Sequence, residues 1–591
     1  MRFNKIIFFA LLFAFVNLLN AQTFTWTGSS NSDWTDVSNW NDGDGFTVGD
    51  GYPDGSSDAA IIANVATSDP VINSSGIICG ALTIESSGLL TSNNGSNSLT
   101  ATTIDLQSGG QLSITNGEVT SGNFTHSGVL SITGGTLDIN GHYTSSGNVV
   151  ANITSGTIEI SGNWDGTSGS GFDPSGGTIF FNGGTQSIST HASNYFHDLN
   201  IGGTTSIKSA RSNLDINGNL SISLATLDMY ASEDNTLDLE GDFTLASSGI
   251  FTAQGGSHNV AGAWDDANGT FQATEGTVTL SGGNSDITTG GSNYFFNLEI
   301  NSTGTKTATS NLDINGVFTL TAGIFDAGST SIDIVGNWDD SGNNGGFTPT
   351  AGTVTLSGAG SNITTGSNNN FFNLVINSSG TKSAQSELDI NGDLTVTDGE
   401  LAMGANNADV ASGKTVTIAS SKTLSMSSGF FTANGTSDIN GILSITSTGK
   451  YDADGDFDAT GGTITFGGAG FLEMSGTTTN LGSSFTEGSG TVEYDGTSSQ
   501  TIFNTTYNNL IIDQNSTKSA SANLDVDGNL TIDNSATLDM SASNYNLTID
   551  GNYTLTSGTF TSRTGTVTFN GAGAQSLTPG SSSFYNLTTA T

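Results

Sequence analysis

Basic residues and cysteine are scarce in this sequence. Lysine and arginine together number 11 against 54 acidic residues in a chain of 591. Binding nucleic acid relies on Lys and Arg to neutralise phosphates, so this balance excludes nucleic acid as a natural partner. The single cysteine, Cys79, cannot close an internal disulfide, and stability must come from elsewhere. It sits in Ile77-Ile78-Cys79-Gly80 beside an apolar run, where a buried structural thiol is expected. Apolar residues make up only 34% of the chain, which taken alone leans toward disorder. His126, His142, His191, His197 and His258 show no metal-ligand spacing, and no Ser/His/Asp group stands out among so many Ser and Asp.

The one long apolar run is at the start. Arg2 and Lys5 precede Ile6–Leu19, and Leu19-Asn20-Ala21 offers a small residue before a cleavage point. Met1–Ala21 therefore reads as a secretory signal peptide, too short in its apolar part for a membrane anchor. Cleavage would remove two basic residues and no acidic ones, leaving nine against 54. The mature chain is expected to be exported, without a transmembrane segment, and suited to a cation-rich medium.

The apolar residues are not scattered. They alternate in short runs such as Leu130-Ser131-Ile132 and Val278-Thr279-Leu280, bounded by Gly and Asn. That is a strand signal, and no helical period competes with it. The runs also repeat. Gly135-Thr136-Leu137, Gly156-Thr157-Ile158 and Gly177-Thr178-Ile179 follow one another at two equal steps of about 21 residues. A larger cassette opens at Thr178, Thr277, Thr353, Thr491 and Thr566. In the first four copies it passes an aromatic box (Tyr195-Phe196, Phe295-Phe296, Phe371-Phe372, Tyr507) and one lysine. Each closes on a Leu-Asp motif at Leu214, Leu312, Leu388 or Leu524. The spacing of the openings fits a unit of about 75 residues, with whole coils inserted before Thr277 and Thr491.

This patterning predicts an all-β fold, an elongated right-handed parallel β-solenoid (β-helix) with coils of about 18–23 residues. The alternative is an antiparallel β-repeat array, because Asn217-Gly218 between apolar alternations is also a hairpin signal. The expected organisation is a signal peptide over 1–21, a Trp-rich N-terminal cap over 22–65 and solenoid repeats over 66–591. Cassettes open near 177, 276, 352, 490 and 565. Trp26, Trp34 and Trp40 in the cap are read as packing residues, with a sugar-stacking platform as the other possibility. The boxes, with Phe584-Tyr585 in the last cassette, and Trp164, Trp264 and Trp338 are read as core filling. The closing motif of the last cassette falls due roughly ten residues beyond Thr591, so the sequence is expected to continue past that residue.

Candidate chemistry is sparse. Lys208, Lys306, Lys382 and Lys518 occupy one repeat position and are read as structural. Their expected partners are Asp215, Asp313, Asp389 and Asp525 of the closing motifs. The candidate metal site is a calcium site at Asp452, Asp454, Asp456 and Asp458, four alternate carboxylates around Gly455, with Asp42-Gly43-Asp44 and Asp339-Asp340 as weaker candidates. Thr-x-Thr pairs recur only once per cassette, too rarely for an ice-binding array.

GTVTLSGG, FFNLVI, GTKSA and LDINGNL resemble the repeats of large exported bacterial β-strand-repeat, adhesin-like proteins. The opening Trp26-Thr27-Gly28…Trp34…Asn39-Trp40…Pro53…Asp58 is similar to β-helical passenger regions of autotransporter-like and Bacteroidetes-type surface proteins. The resemblance implies a secreted or surface-attached role in adhesion or matrix, toward extracellular polysaccharide or a host or neighbouring cell surface, with no catalytic residues to carry over. β-Helices also serve polysaccharide lyases and hydrolases, so a carbohydrate-active protein is the alternative expectation.

Overall fold

The computed structural model describes residues 21–43, 51–65, 67–230 and 234–589. The signal-peptide reading falls almost wholly outside these residues, as does Asp44. The chain is all-β: about 52% of it is strand and 1% helix, and its parallel strands form a β-solenoid of about 25 turns. Among the described residues, no helix is long and apolar enough to cross a membrane. The chain divides into two compact units, Met1–Asn219 with Leu224–Leu227, and Leu220–Ser223 with Asp228–Thr591.

In the first unit, Thr23–Trp26 pairs antiparallel with Trp40–Asn41 and parallel with Ala59–Ile62. Trp26, Trp34 and Trp40 are at most 1% exposed and meet edge to face, with centroids 5.0 and 4.7 Å apart. Their faces are turned into packing, so they form no platform for a sugar ring. Further on, Thr136, Thr157, Thr178 and Asp198 stack in register, one coil apart. Each strand alternates: Thr178 and Phe180 face outward, Ile179 and Phe181 inward. Cys79 is fully buried, and that burial pushes its thiol pKa up to about 12. It is a packing residue.

The second unit is built the same way. Ser257, Thr277 and Asn297 stack in register, and Leu298, Phe318 and Trp338 continue the ladder. The parallel pairing across successive coils rules out the antiparallel array. The Asn-Gly sites, and Asp527-Gly528 at the same position of the fourth cassette, are corners of the coil. None of Gly218, Gly316, Gly392 and Gly528 has the positive φ that a two-residue type I′ hairpin requires. Glycine is needed there for close approach. A Cβ on Gly316 would lie 2.4 Å from Asn297 Oδ1. That oxygen already accepts the Val317 N–H at 2.9 Å. Asn373 and Asn509 hold the corresponding corners through the N–H groups of Asp393 and Asn529.

The cassette has a physical basis in the core. Inward side chains stack as Tyr143–Trp164–Ile188–Ala210, Phe243–Trp264–Ile287–Ala308 and Phe318–Trp338–Ile363–Ala384. The two rings of each column lie nearly parallel in the first two cases, with centroids 3.6 and 4.2 Å apart. As the column narrows to Ala, the box residue fills the space: Phe196, Phe295 and Phe371 sit 5.3, 5.2 and 5.1 Å from the three tryptophans. In the last coil the box is different. Phe584 is partly covered and Tyr585 is 66% exposed, because no described coil lies beyond them.

Because a solenoid is stabilised by nearest-neighbour interfaces, Trp264→Ala is expected to cost about 3–5 kcal/mol locally. Hydrogen exchange should show lost protection in Phe243–Ala246 and Ser285–Thr288, the strands stacked on Trp264, first. Uniform loss across the second unit would contradict this local view.

Candidate functional site

The four repeat-position lysines are not where charge pairing would put them. Lys208, Lys306, Lys382 and Lys518 are fully buried, whereas Asp215, Asp313, Asp389 and Asp525 are exposed on the outer face. The expected lysine–aspartate pairing is therefore incorrect. The reason is parity. Each lysine lies two residues before a buried alanine, Ala210, Ala308, Ala384 or Ala520, and shares its inward face. The closing-motif aspartates alternate with buried leucine and isoleucine or valine and so point out.

Inside, the ammonium groups satisfy backbone carbonyls at the corners. Lys306 Nζ donates to Ala261 O at 2.8 Å and Ser285 Oγ at 2.7 Å. Lys382 reaches Val335 O and Ser361 Oγ in the same manner. Lys518 donates to Gly496 O and Ser516 Oγ, and Lys208 to Gly183 O and Ser206 Oγ. The residue one coil below decides which carbonyls remain to be satisfied. Gln186 and Gln500 lie beneath Lys208 and Lys518 and reach the lower corner with their own amides. Beneath Lys306 and Lys382 the residue is Ser285 or Ser361, and the lysine extends two coils down. Burial lowers the pKa of Lys306, Lys382 and Lys518 to about 8. Their ammonium groups are directed to these interior acceptors.

The outer face carries the accessible chemistry. In the second unit Asp389, Asp409, Thr432, Asp452, Glu473 and Glu493 stack in register on consecutive coils. A parallel column runs beside it: Phe430, Lys450, Phe471, Thr491. Lys450 pairs with Glu473 and lies 3.6 Å from Asp452. Like charges stacked in this way raise the cost of ionisation. Burial, then Glu473, Asp513 and Asp495, push the Glu493 pKa up to about 8. Burial also raises Asp452 and Glu473.

Two similar clefts open next to stacked aspartates. One, of about 340 Å³, is lined by Gly290, Asn293, Asn311, Asp313 and Asp333. The other, of about 330 Å³, is lined by Gly366, Asn369, Glu387, Asp389 and Asp409. Asp313 and Asp389 are each raised by burial and then by the carboxylate stacked on them, Asp333 and Asp409. The loop on one wall is held by buried Asp266 or Asp340, which accepts the N–H of Gly290 or Gly366 at 2.7 Å. Stacked carboxylates in a cleft accept hydrogen bonds from hydroxyl groups and attract cations.

The proposed calcium ligands are placed separately. Asp452 belongs to the outer column beside Lys450. Asp454 is exposed at the following corner. Asp456 Oδ1 accepts the Thr477 and Thr478 N–H groups at 2.9 Å, and Asp458 Oδ1 accepts the Thr460 N–H at 2.9 Å. Of the weaker pairs, Asp339 binds the Ser341 N–H and Asp340 is the buried loop anchor. Among the described residues, no group of three or more His, Cys, Asp or Glu is placed to hold a metal ion. His126 and His258 are buried and their pKa is lowered to about 4 by desolvation. Glu473, Glu493 and Asp409 were missed by sequence reading. The signal was their coil spacing from Asp452 and Asp389, about 20 residues at the outward parity. No protein-family model, curated protein or solved structure matches the chain, so its own residues carry the functional reading.

Two outcomes follow. Lys306→Met should lose about 1–3 kcal/mol by leaving corner carbonyls without a donor. Adding Ser285→Gln should recover most of it, as measured by denaturant unfolding, because the amide serves the same corner as Gln500 does. Glu493 holds its proton in the folded chain up to about pH 8 but loses it near the ordinary carboxyl value when unfolded. Its contribution is full in acid and lost as pH rises through about 8. Thermal melts at about pH 5 and about pH 9 should show Glu493→Gln gaining on the wild type at the higher pH.

Proposed function

We propose that this is a secreted or cell-surface repeat protein with a structural or adhesive role. It would present its polar outer face to extracellular polysaccharide or to a neighbouring or host cell surface. The observation that supports this most directly is the recurrence of accessible polar groups: the acidic cleft beside Asp313 and Asp333 is repeated beside Asp389 and Asp409. A catalytic centre is needed once, whereas a binding surface gains avidity from repetition. The apolar leader Met1–Ala21 supports export, and the resemblance to adhesin-like repeats agrees with it.

A carbohydrate-active enzyme is the second reading, and the stacked carboxylates in those clefts are what favour it. The discriminating experiment uses the mature chain with soluble and insoluble polysaccharides, with and without calcium or a chelator. Retention without new chain ends is the expected outcome. Catalytic release of new ends would replace the adhesive reading with a lyase or hydrolase. Chelator-sensitive retention would assign a calcium role to Asp452–Asp458.

A further inference from the structure

Phe430 is 57% exposed, on a strand whose inward residues Phe431 and Ala433 are buried. Phe471 follows two coils along the same outward column, with Lys450 between them. Ladder steps of about 4.8 Å place the two positions roughly 9.6 Å apart. Lys450 is held by Glu473 and lies 5.6 Å above the Phe471 ring. Two residues further along each strand, Asp452 and Glu473 present carboxylate oxygens on the same face.

We infer that the outer face of Phe430–Ala433, Lys450–Ala453 and Phe471–Met474 is a subsite for a neutral polysaccharide chain running along the ladder. A sugar ring would lie on the exposed Phe430, and hydroxyls of the chain would donate to Asp452 and Glu473. A neutral glycan has both features this face calls for, apolar C–H surfaces and hydroxyl donors along its edges. The carboxylates of Asp389, Asp409, Asp452 and Glu473 in this column repel anionic polysaccharides and acidic membranes. Lys450 is paired with Glu473 and offers no free cation to an anionic chain. Aromatic rings supply contact area, and the fixed polar groups beside them supply orientation. This inference rests on the adhesive reading above and assigns its ligand class and place.

The test is affinity electrophoresis of the mature chain through gels containing mixed-linkage β-glucan, β-mannan or alginate. The wild type is expected to be retarded by a neutral polymer and not by alginate. Phe430→Ala should weaken that retardation roughly tenfold without changing the melting temperature, because the ring is exposed. Glu473→Gln should weaken it as well. Equal retardation of both variants and the wild type would overturn the subsite while leaving the adhesive reading intact. Alginate retardation equal to that by the neutral polymers would also overturn it. If no polymer retards the wild type, the subsite is wrong, and adherence of the labelled protein to intact cells then decides the adhesive reading separately.

Discussion

The in-register parallel ladder is the constraint on which the rest of this structure depends. Each coil sets its side chains directly over their counterparts in the coil below. Whatever occupies a position must therefore tolerate a near-copy of itself, or of its replacement, at ladder distance. Aromatic rings meet this by stacking, as Tyr143 and Trp164 do. Glycines meet it at the corners, where a Cβ on Gly336 would lie 2.2 Å from Gly316 O. Carboxylates meet it poorly: burial first, and then neighbouring carboxylates, raise the pKa values along the Asp389-to-Glu493 column.

The same constraint explains the buried lysines. A solenoid corner turns backbone carbonyls toward the interior, and a buried carbonyl without a donor is costly. The chain supplies donors from the inward face in two forms. A glutamine reaches the nearer corner, or a lysine spans two coils above a serine. The charge is costly to bury, which the lowered lysine pKa values reflect. Several acceptors around one ammonium offset that cost, and the long flexible stem packs along the core.

Function is left to the outer positions, where one residue in two is free of packing. Most are Thr, Ser and Asn. Acidic residues recur at outward positions of the closing-motif strands and of the coils stacked on them, as at Asp313 and Asp333 and from Asp389 to Glu493. That arrangement recurs in successive cassettes, beside Asp313 and Asp333 and again beside Asp389 and Asp409.

Much of this was legible in the sequence. Alternation at period two, with recurrence at the coil and cassette periods, determined the all-β class, the coil length and the cassette, because strands and coils impose those periods on which residues are apolar. The burial of Trp164, Trp264 and Trp338 was legible for the same reason. The lysine partners were not. A charged side chain suggests an opposite charge, yet parity with Ala308 and Ala384 already marked Lys306 and Lys382 as inward. The calcium reading took Asp452, Asp454, Asp456 and Asp458 as neighbours because they are close in sequence. In the fold Asp452 stacks on Glu473 of the next coil, and Asp456 accepts the amides of Thr477 and Thr478. Local spacing determined which face each residue occupies. Only the tertiary structure decided which residues meet, because stacking joins positions one coil apart and separates those on either side of a corner.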